Sequence, residues 1–534
     1  MSALLHASAE LAGLELDEEG RQFLGKGYSS IVYRVPVKGS GTCVVKKVSH
    51  SEGLPKLVNT IIFGNPLDLI ATEEAVRTAY FRRRVFSSLV YFWTRGTIGV
   101  ANAIGYGFDD EARAYYLVTE YVQGKGPRFV TPFSKDGNGG LEELISNVME
   151  PLREHFLEIN ASDWQLNYRN SRSVANFIRG KKLDEEVERW FMVDLESGVP
   201  ALAVMPVPKP SYMRDFWRYF RSFPSFDDVD IPALQAYLDE NADDLAGFLG
   251  SKRFSELESD LKELDAAQSA WESMSRTDKY INHLLKKEII TAEQAQVLNH
   301  SKARLYMYMS AAAMQATASY LSNTLISNAA RLLRFAGRSL RTMVSPAYGQ
   351  KLGSEYVQGR LEDWVQEGII SEENATSIIG PLQNGDFRTR FGGLTWHMGP
   401  VWGLSKVTEV AIPSMLVANE MYWQAGVAVP LLAFYGVSPL LRGLHTLGYA
   451  AITRGVPKTA LATSLLPIAG NFSFVFQMAS DAYREGMREL SSFFIIDTFR
   501  KIASSPITFL WGGKGTLLDY RLNEFASRLV SRNK

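Results

Sequence analysis

The sequence predicts an α+β domain at the N-terminal end, followed by a mostly α-helical C-terminal region. Between residues 20 and 125, short runs rich in β-branched residues are separated by glycine turns and enclose one helical stretch. From Phe254 onward, apolar residues recur instead at three- and four-residue steps. A third observation divides the helical region. From Met421 to Ser480, sixty residues carry only three formal charges, Arg442, Arg454 and Lys458, although 22% of the chain is charged. These shifts outline an N-terminal extension (1–19), a first lobe (20–125), a reduced second lobe (126–250), a helical domain (251–395) and an apolar helical region (396–534).

Composition excludes several classes of function. The chain has 57 basic and 58 acidic side chains, so no basic surface invites a nucleic acid. Apolar residues make up 46%, enough to bury real cores. Cys43 is the single cysteine, which rules out an internal disulfide and suits a reducing compartment. No Cys and His residues have zinc spacing. Met1 to Gly20 contains acidic residues and no long apolar run, so it does not read as a signal peptide.

Taken in order, Ile31 to Val35 and Cys43 to Val48 read as two strands joined through Lys38-Gly39-Ser40-Gly41, a natural hairpin. Asp68 to Val90, rich in Glu, Ala and Arg, reads as a helix, and Tyr115 to Thr119 as another strand. Residues 140 to 160 read as helix again, and Trp190 to Val193 as a short buried strand. Pro200 to Pro232 is rich in proline and aromatic residues and reads as a wrapping or linking segment. Phe254 to Leu285 reads as one long amphipathic helix. A weak repeat follows. Lys287 to Ala295 matches Glu367 to Ala375, each with a helix end, two isoleucines and a Thr or Ser that opens a new helix. Thr291 and Gln294 have capping-box spacing.

The chemistry-bearing pattern begins at Gly25-Lys26-Gly27-Tyr28-Ser29-Ser30-Ile31-Val32. Glycines in such a turn let backbone N–H groups approach phosphate oxygens, and Val32 would close over an adenine ring. Fourteen residues on, Lys46 stands in the strand Val44-Val45-Lys46, where an inward lysine reaches α- and β-phosphates. Such a lysine needs a carboxylate, and Glu73 and Glu74 open the next helix. Leu117 to Val122 reads as a strand running into a hinge, where backbone groups near Glu120 and Val122 would meet the adenine edge. Taken singly, each residue has a plain alternative. Lys46 suits an exposed edge strand, Asp194 a turn and Asn176 a helix cap.

In this order the residues resemble the N-terminal lobe of the protein-kinase-like superfamily, most of all its lipopolysaccharide-kinase and RIO-type branches. The resemblance covers about residues 20 to 200. It implies an α+β kinase-like bilobal domain that binds ATP and Mg²⁺, with Asn176 and Asp194 as metal ligands. Here the metal-binding triplet reads Asp194-Leu195-Glu196. The family's catalytic Asp belongs five residues before the Asn, and that position is Ser171, which cannot take a proton from a hydroxyl as a carboxylate does. Asp163 is the remaining candidate base, at the cost of a reshaped loop.

The uncharged runs Met421 to Leu441 and Thr459 to Ser480 are 21 and 22 residues long, near the length that crosses a bilayer. Pro430, Pro439 and Pro467 interrupt them. Arg442, Arg454 and Lys458 would keep the loop between them cytoplasmic. An even number of spans would then put the first lobe on the side without ATP. A monotopic hairpin or a third span removes the conflict. Phe493 to Leu510, broken by Asp497, Arg500 and Lys501, reads as an amphipathic tail.

The expectation is therefore an ATP-binding, kinase-like protein at a membrane, its nucleotide domain on the cytoplasmic side. Its acceptor would be a lipid or glycolipid headgroup. The alternative is a pseudokinase scaffold whose helical half handles membrane or lipid. A third reading is an interaction protein without a ligand.

Overall fold

The computed structural model describes, short gaps apart, residues 16–48, 72–127, 140–195, 229–311, 345–383, 486–503 and 515–531, with a few isolated positions. An N-terminal sheet region is followed by a mostly helical remainder. The chain forms two compact units. The first comprises residues 1–127, 140–320 and 507–518, and the second 128–139, 321–506 and 519–534.

The first unit holds two sheets. The larger contains β1 (His6–Ala7), β2 (Gln22–Lys26), β3 (Ser30–Pro36), β4 (Thr42–Val48), β6 (Ala103–Asp109) and β7 (Ala114–Glu120), in the order β1-β6-β7-β4-β3-β2. The expected hairpin is β3 with β4, antiparallel from Ser30 opposite Val48 to Pro36 opposite Thr42. Alternation sorts β4 into two faces. Cys43 and Val45 pack with Val35, Tyr116 and Val118 on one. Lys46 lies on the other, in register with Val32 of β3 and Leu117 of β7.

Helix α1 (Glu73–Trp93) packs against β6 and β7, with Tyr80 and Tyr106 rings 5.4 Å apart. Thr72 caps it by accepting the Ala75 N–H, and Glu73 and Glu74 suit the positive end of its dipole. Val76, Val85, Phe86, Leu89 and Val90 are fully buried, each contributing about 1.5–3 kcal/mol for the larger side chains.

The smaller sheet has the order β5-β10-β9-β8, from β5 (Ile98–Val100), β10 (Arg189–Met192), β9 (Phe177–Lys182) and β8 (Val122–Lys125). β10 pairs parallel with β5 and antiparallel with β9. Before it come α2 (Leu141–Leu144), a π-helical turn (Ile145–Met149) and α3 (Glu150–Glu158). A 3₁₀ turn, Ser173–Asn176, leads into β9.

Beyond these lie α4 (Ile231–Glu240), α5 (Ala242–Leu249), α6 (Ser251–Ser273), α7 (Arg276–Lys286) and α8 (Ala292–His300). The single long helix expected over Phe254 to Leu285 is in fact α6 and α7. Ser275 and Asp278 make a reciprocal capping box that ends one helix and starts the next. α6 runs along α1. Arg84 Nε donates to both carboxylate oxygens of Asp260 at 2.8 and 2.9 Å, and Arg77 pairs with Glu263.

The second unit contains α9 (Pro346–Gln366), α10 (Glu372–Gln383), α11 (Arg488–Ala503) and most of α12 (Leu517–Ser531). Its core joins Leu361, Trp364, Ile370, Ile378, Leu490 and Phe493. The repeat noted in the sequence folds as two hairpins, α7–α8 and α9–α10. Ile289 N–H donates to Leu284 O at 2.9 Å, and eighty residues on Ile369 N–H donates to Trp364 O at 2.8 Å. Thr291 forms its capping box with Gln294, and Ser371 caps through the Asn374 N–H.

In α11, Asp497 and Arg500, two of the charges that break the apolar pattern, do not form a wet face. Asp497 and Arg500 are buried, pairing with Arg360 at 2.8 Å and with Glu367 at 2.9 Å. The described part of that tail, up to Ala503, is a helix in which Asp497 and Arg500 are bonded inside its unit. Among the described residues no helix is long and apolar enough to cross a membrane. The runs Met421 to Leu441 and Thr459 to Ser480 lie outside the described residues, except for Ala479.

Candidate functional site

Lys46 and Asp194 are 148 residues apart in sequence and meet in the fold. β4 directs the lysine to the face shared with Val32 and Leu117, and β10 ends just before Val193 and Asp194. Lys46 Nζ stands 3.2 Å from Asp194 Oδ1 and donates to Val193 O at 2.8 Å. Asn176 joins them through the backbone, its carbonyl accepting the Val193 N–H at 2.8 Å. The Asn176 side-chain amide donates to Gln165 Oε1, which orients its own oxygen.

The carboxylate expected beside Lys46 was Glu73 or Glu74. Neither takes that place, which belongs to Asp194. Both glutamates sit in the first turn of α1 and line a cavity of 340 Å³ with Thr72, Arg113, Tyr115 and Lys286. Burial, helped by the charges of Glu73 and Glu74, pushes the Tyr115 phenol up to about 12.

α1 reaches the site with arginines instead. Arg83, fully buried, donates to Ala101 O at 2.6 Å and to Val193 O at 3.3 Å. Arg82 donates to Leu195 O at 3.1 Å. Sequence reasoning missed these two residues and Gln165. The available signal was Arg82-Arg83-Arg84 in a helix otherwise rich in large apolar residues, where side chains on adjacent positions point to different sides.

Gly25 lies at the end of β2 opposite Val32, and a Cβ added there would meet nothing within 4 Å. Gly27 lies outside the described residues, with Tyr28 and Ser29. At the β7–β8 junction, the Glu120 carboxylate accepts the Asn102 N–H at 2.8 Å and pairs with Lys182 at 2.8 Å. Val122 is buried with Ala101 and Phe191. Their backbones follow Thr119, itself 2% exposed, at the edge of the face that carries Lys46.

Asp163 is buried, and its Oδ2 accepts from Arg153 Nε at 2.6 Å and from Asn167 Nδ2 at 3.4 Å. It is an anchor for the loop after α3. Ser171 lies outside the described residues.

The donor set can be tested against a metal ion. Among the described residues no three His, Cys, Asp or Glu side chains gather to hold one. Asp194 and the Asn176 amide oxygen make one carboxylate and one neutral oxygen. Two such oxygens are too few to hold a metal by protein ligands alone. No family model matches the chain, and comparison with curated proteins and with solved structures finds no match.

Proposed function

We propose that the first unit is a kinase-like, nucleotide-binding domain that does not transfer phosphate, joined to a helical region that works at a membrane. The observation that carries this reading is the meeting of Lys46 and Asp194, with the Asn176 backbone one hydrogen bond away. Three residues chosen by motif order converge at one place. A glycine-ended strand, the next strand and the lysine strand are neighbours in one sheet, which supports the same reading.

In this reading Lys46 binds the phosphates of ATP, and the β7–β8 junction takes the adenine edge. Asp194 and Asn176 would hold the Mg²⁺ that arrives with the phosphates and offsets their charge. The absence of transfer follows from Asp163. A base must reach a substrate hydroxyl, and this carboxylate is tied to Arg153 and Asn167. Ser171, at the family's base position, is no substitute.

A thermal-shift titration with ATP and Mg²⁺ tests the reading. At a ligand concentration 100 times Kd, binding stabilises the native chain by about 2.7 kcal/mol, a shift of several degrees. Lys46→Ala and Asp194→Ala should abolish that shift. If the wild type shows none, nucleotide binding is wrong. ATP turnover that disappears in Asp163→Ala would restore the enzyme reading, with a lipid or glycolipid headgroup as acceptor.

A further inference from the structure

We propose that Arg83 is a positioning residue of the nucleotide site, holding the carbonyl of Val193 and through it the Lys46–Asp194 pair. The proposal rests on the nucleotide-binding reading above. In that reading a lysine on the sheet needs a partner that links it to the helix. The only carboxylates of α1 are Glu73 and Glu74, at its far N-terminal turn. The link runs through a backbone atom instead.

Val193 O accepts Lys46 Nζ at 2.8 Å and Arg83 Nη2 at 3.3 Å. The same residue's N–H donates to Asn176 O at 2.8 Å. Arg83 Nη1 meanwhile grips Ala101 O at 2.6 Å, and Ala101 N–H returns to Met192 O at 3.0 Å. One planar guanidinium thus ties α1 to the end of β10 and to the residue after β5. A lysine ammonium is a point charge on a flexible stem and lacks the fixed fork. If α1 shifts, the Val193 carbonyl shifts with it, and the ammonium that binds phosphate follows. Arg82, bonded to Leu195 O at 3.1 Å, extends the same hold past Asp194.

The test is ATP affinity by calorimetry on the full chain, well below the melting temperature. Arg83→Lys and Arg83→Met are expected to weaken binding at least tenfold. Both should keep the wild-type far-ultraviolet circular dichroism. A purely structural role would lower the melting temperature and leave Kd within twofold of wild type, which would overturn the proposal. A second measurement needs no variant. In the wild type, ATP should slow amide exchange over residues 80–86 as well as over 190–195. Protection confined to the second segment also overturns it. If the wild type binds no ATP, the nucleotide-binding reading falls first and this proposal with it.

Discussion

Asp109 shows how a single carboxylate sets pH dependence in this sheet. Burial pushes its pKa up, but the Ala112 N–H and the Lys47 ammonium together outweigh burial and hold it below the usual value. A folded-state pKa below the unfolded one means stability that is present above about pH 4 and lost as the carboxylate protonates at lower pH. Asp109→Asn should therefore be less stable than wild type at pH 7, with the difference shrinking as pH falls from about 4 to 2 in urea titrations. A constant difference would show that the ionised form is not the favoured one.

At this scale motif order pointed to Lys46 and Asp194, which the fold brings 3.2 Å apart, and to Asn176, whose carbonyl bonds the Val193 N–H. It misplaced Glu73 and Glu74, because proximity in sequence to a helix start says nothing of where that turn lies along the sheet. Arg83 was hidden because a buried arginine bonded to carbonyls looks, in sequence, like any charged helix residue.

Between elements, the α1–α6 contact has two ion pairs of unequal weight. The Arg84–Asp260 bond is two-pronged, with side-chain exposures of 29% and 12%, whereas Arg77 and Glu263 are 40% and 44% exposed. Loss of a charged hydrogen-bonded partner in such a half-buried site costs about 1–3 kcal/mol. An exposed pair contributes about 0–1 kcal/mol. Asp260→Ala should lower the urea midpoint clearly and Glu263→Ala hardly at all. Equal effects would mean that burial does not rank them.

The strands rich in β-branched or aromatic residues, β3, β4, β7 and β10, were legible. β6 and β9 were not. Gly105 and Gly107 interrupt β6, and β9 reads Phe-Ile-Arg-Gly-Lys-Lys. Partner strands override such weak local preference. In β6 a Cβ at Gly107 would lie 2.4 Å from the Tyr116 hydroxyl oxygen, so the residue that weakens the pattern is the one the sheet needs. The long helix was split by a capping box at Ser275, a signal present in the sequence but outvoted by the apolar period.

Across the whole molecule, the division into a sheet-bearing front and a helical remainder was legible from periodicity alone. The proposed membrane association rests on the sequence of the sixty residues from Met421 to Ser480. The full chain mixed with vesicles of anionic and neutral phospholipid should float with them in a density gradient and stay bound at 1 M salt, where surface charge is screened. A chain that remains at the bottom would make these residues an internal core. Asp497 and Arg500 of α11 are internal already, so a mostly apolar run with sparse charges can belong to protein interior as readily as to lipid contact.

The paired hairpins have a further consequence for how the chain assembles. α7–α8 and α9–α10 share their turn and cap geometry, so to a folding chain they are similar pieces seeking different berths. The first is matched to the β6–β7 turn by Glu288, 2.8 Å from Arg113, and by Lys286 over the Phe108 ring. The second offers Gly368 and Gln366 at those positions. These side chains around one bend therefore help to sort the two. An exchange there would leave a compact, misassembled molecule rather than an unfolded one.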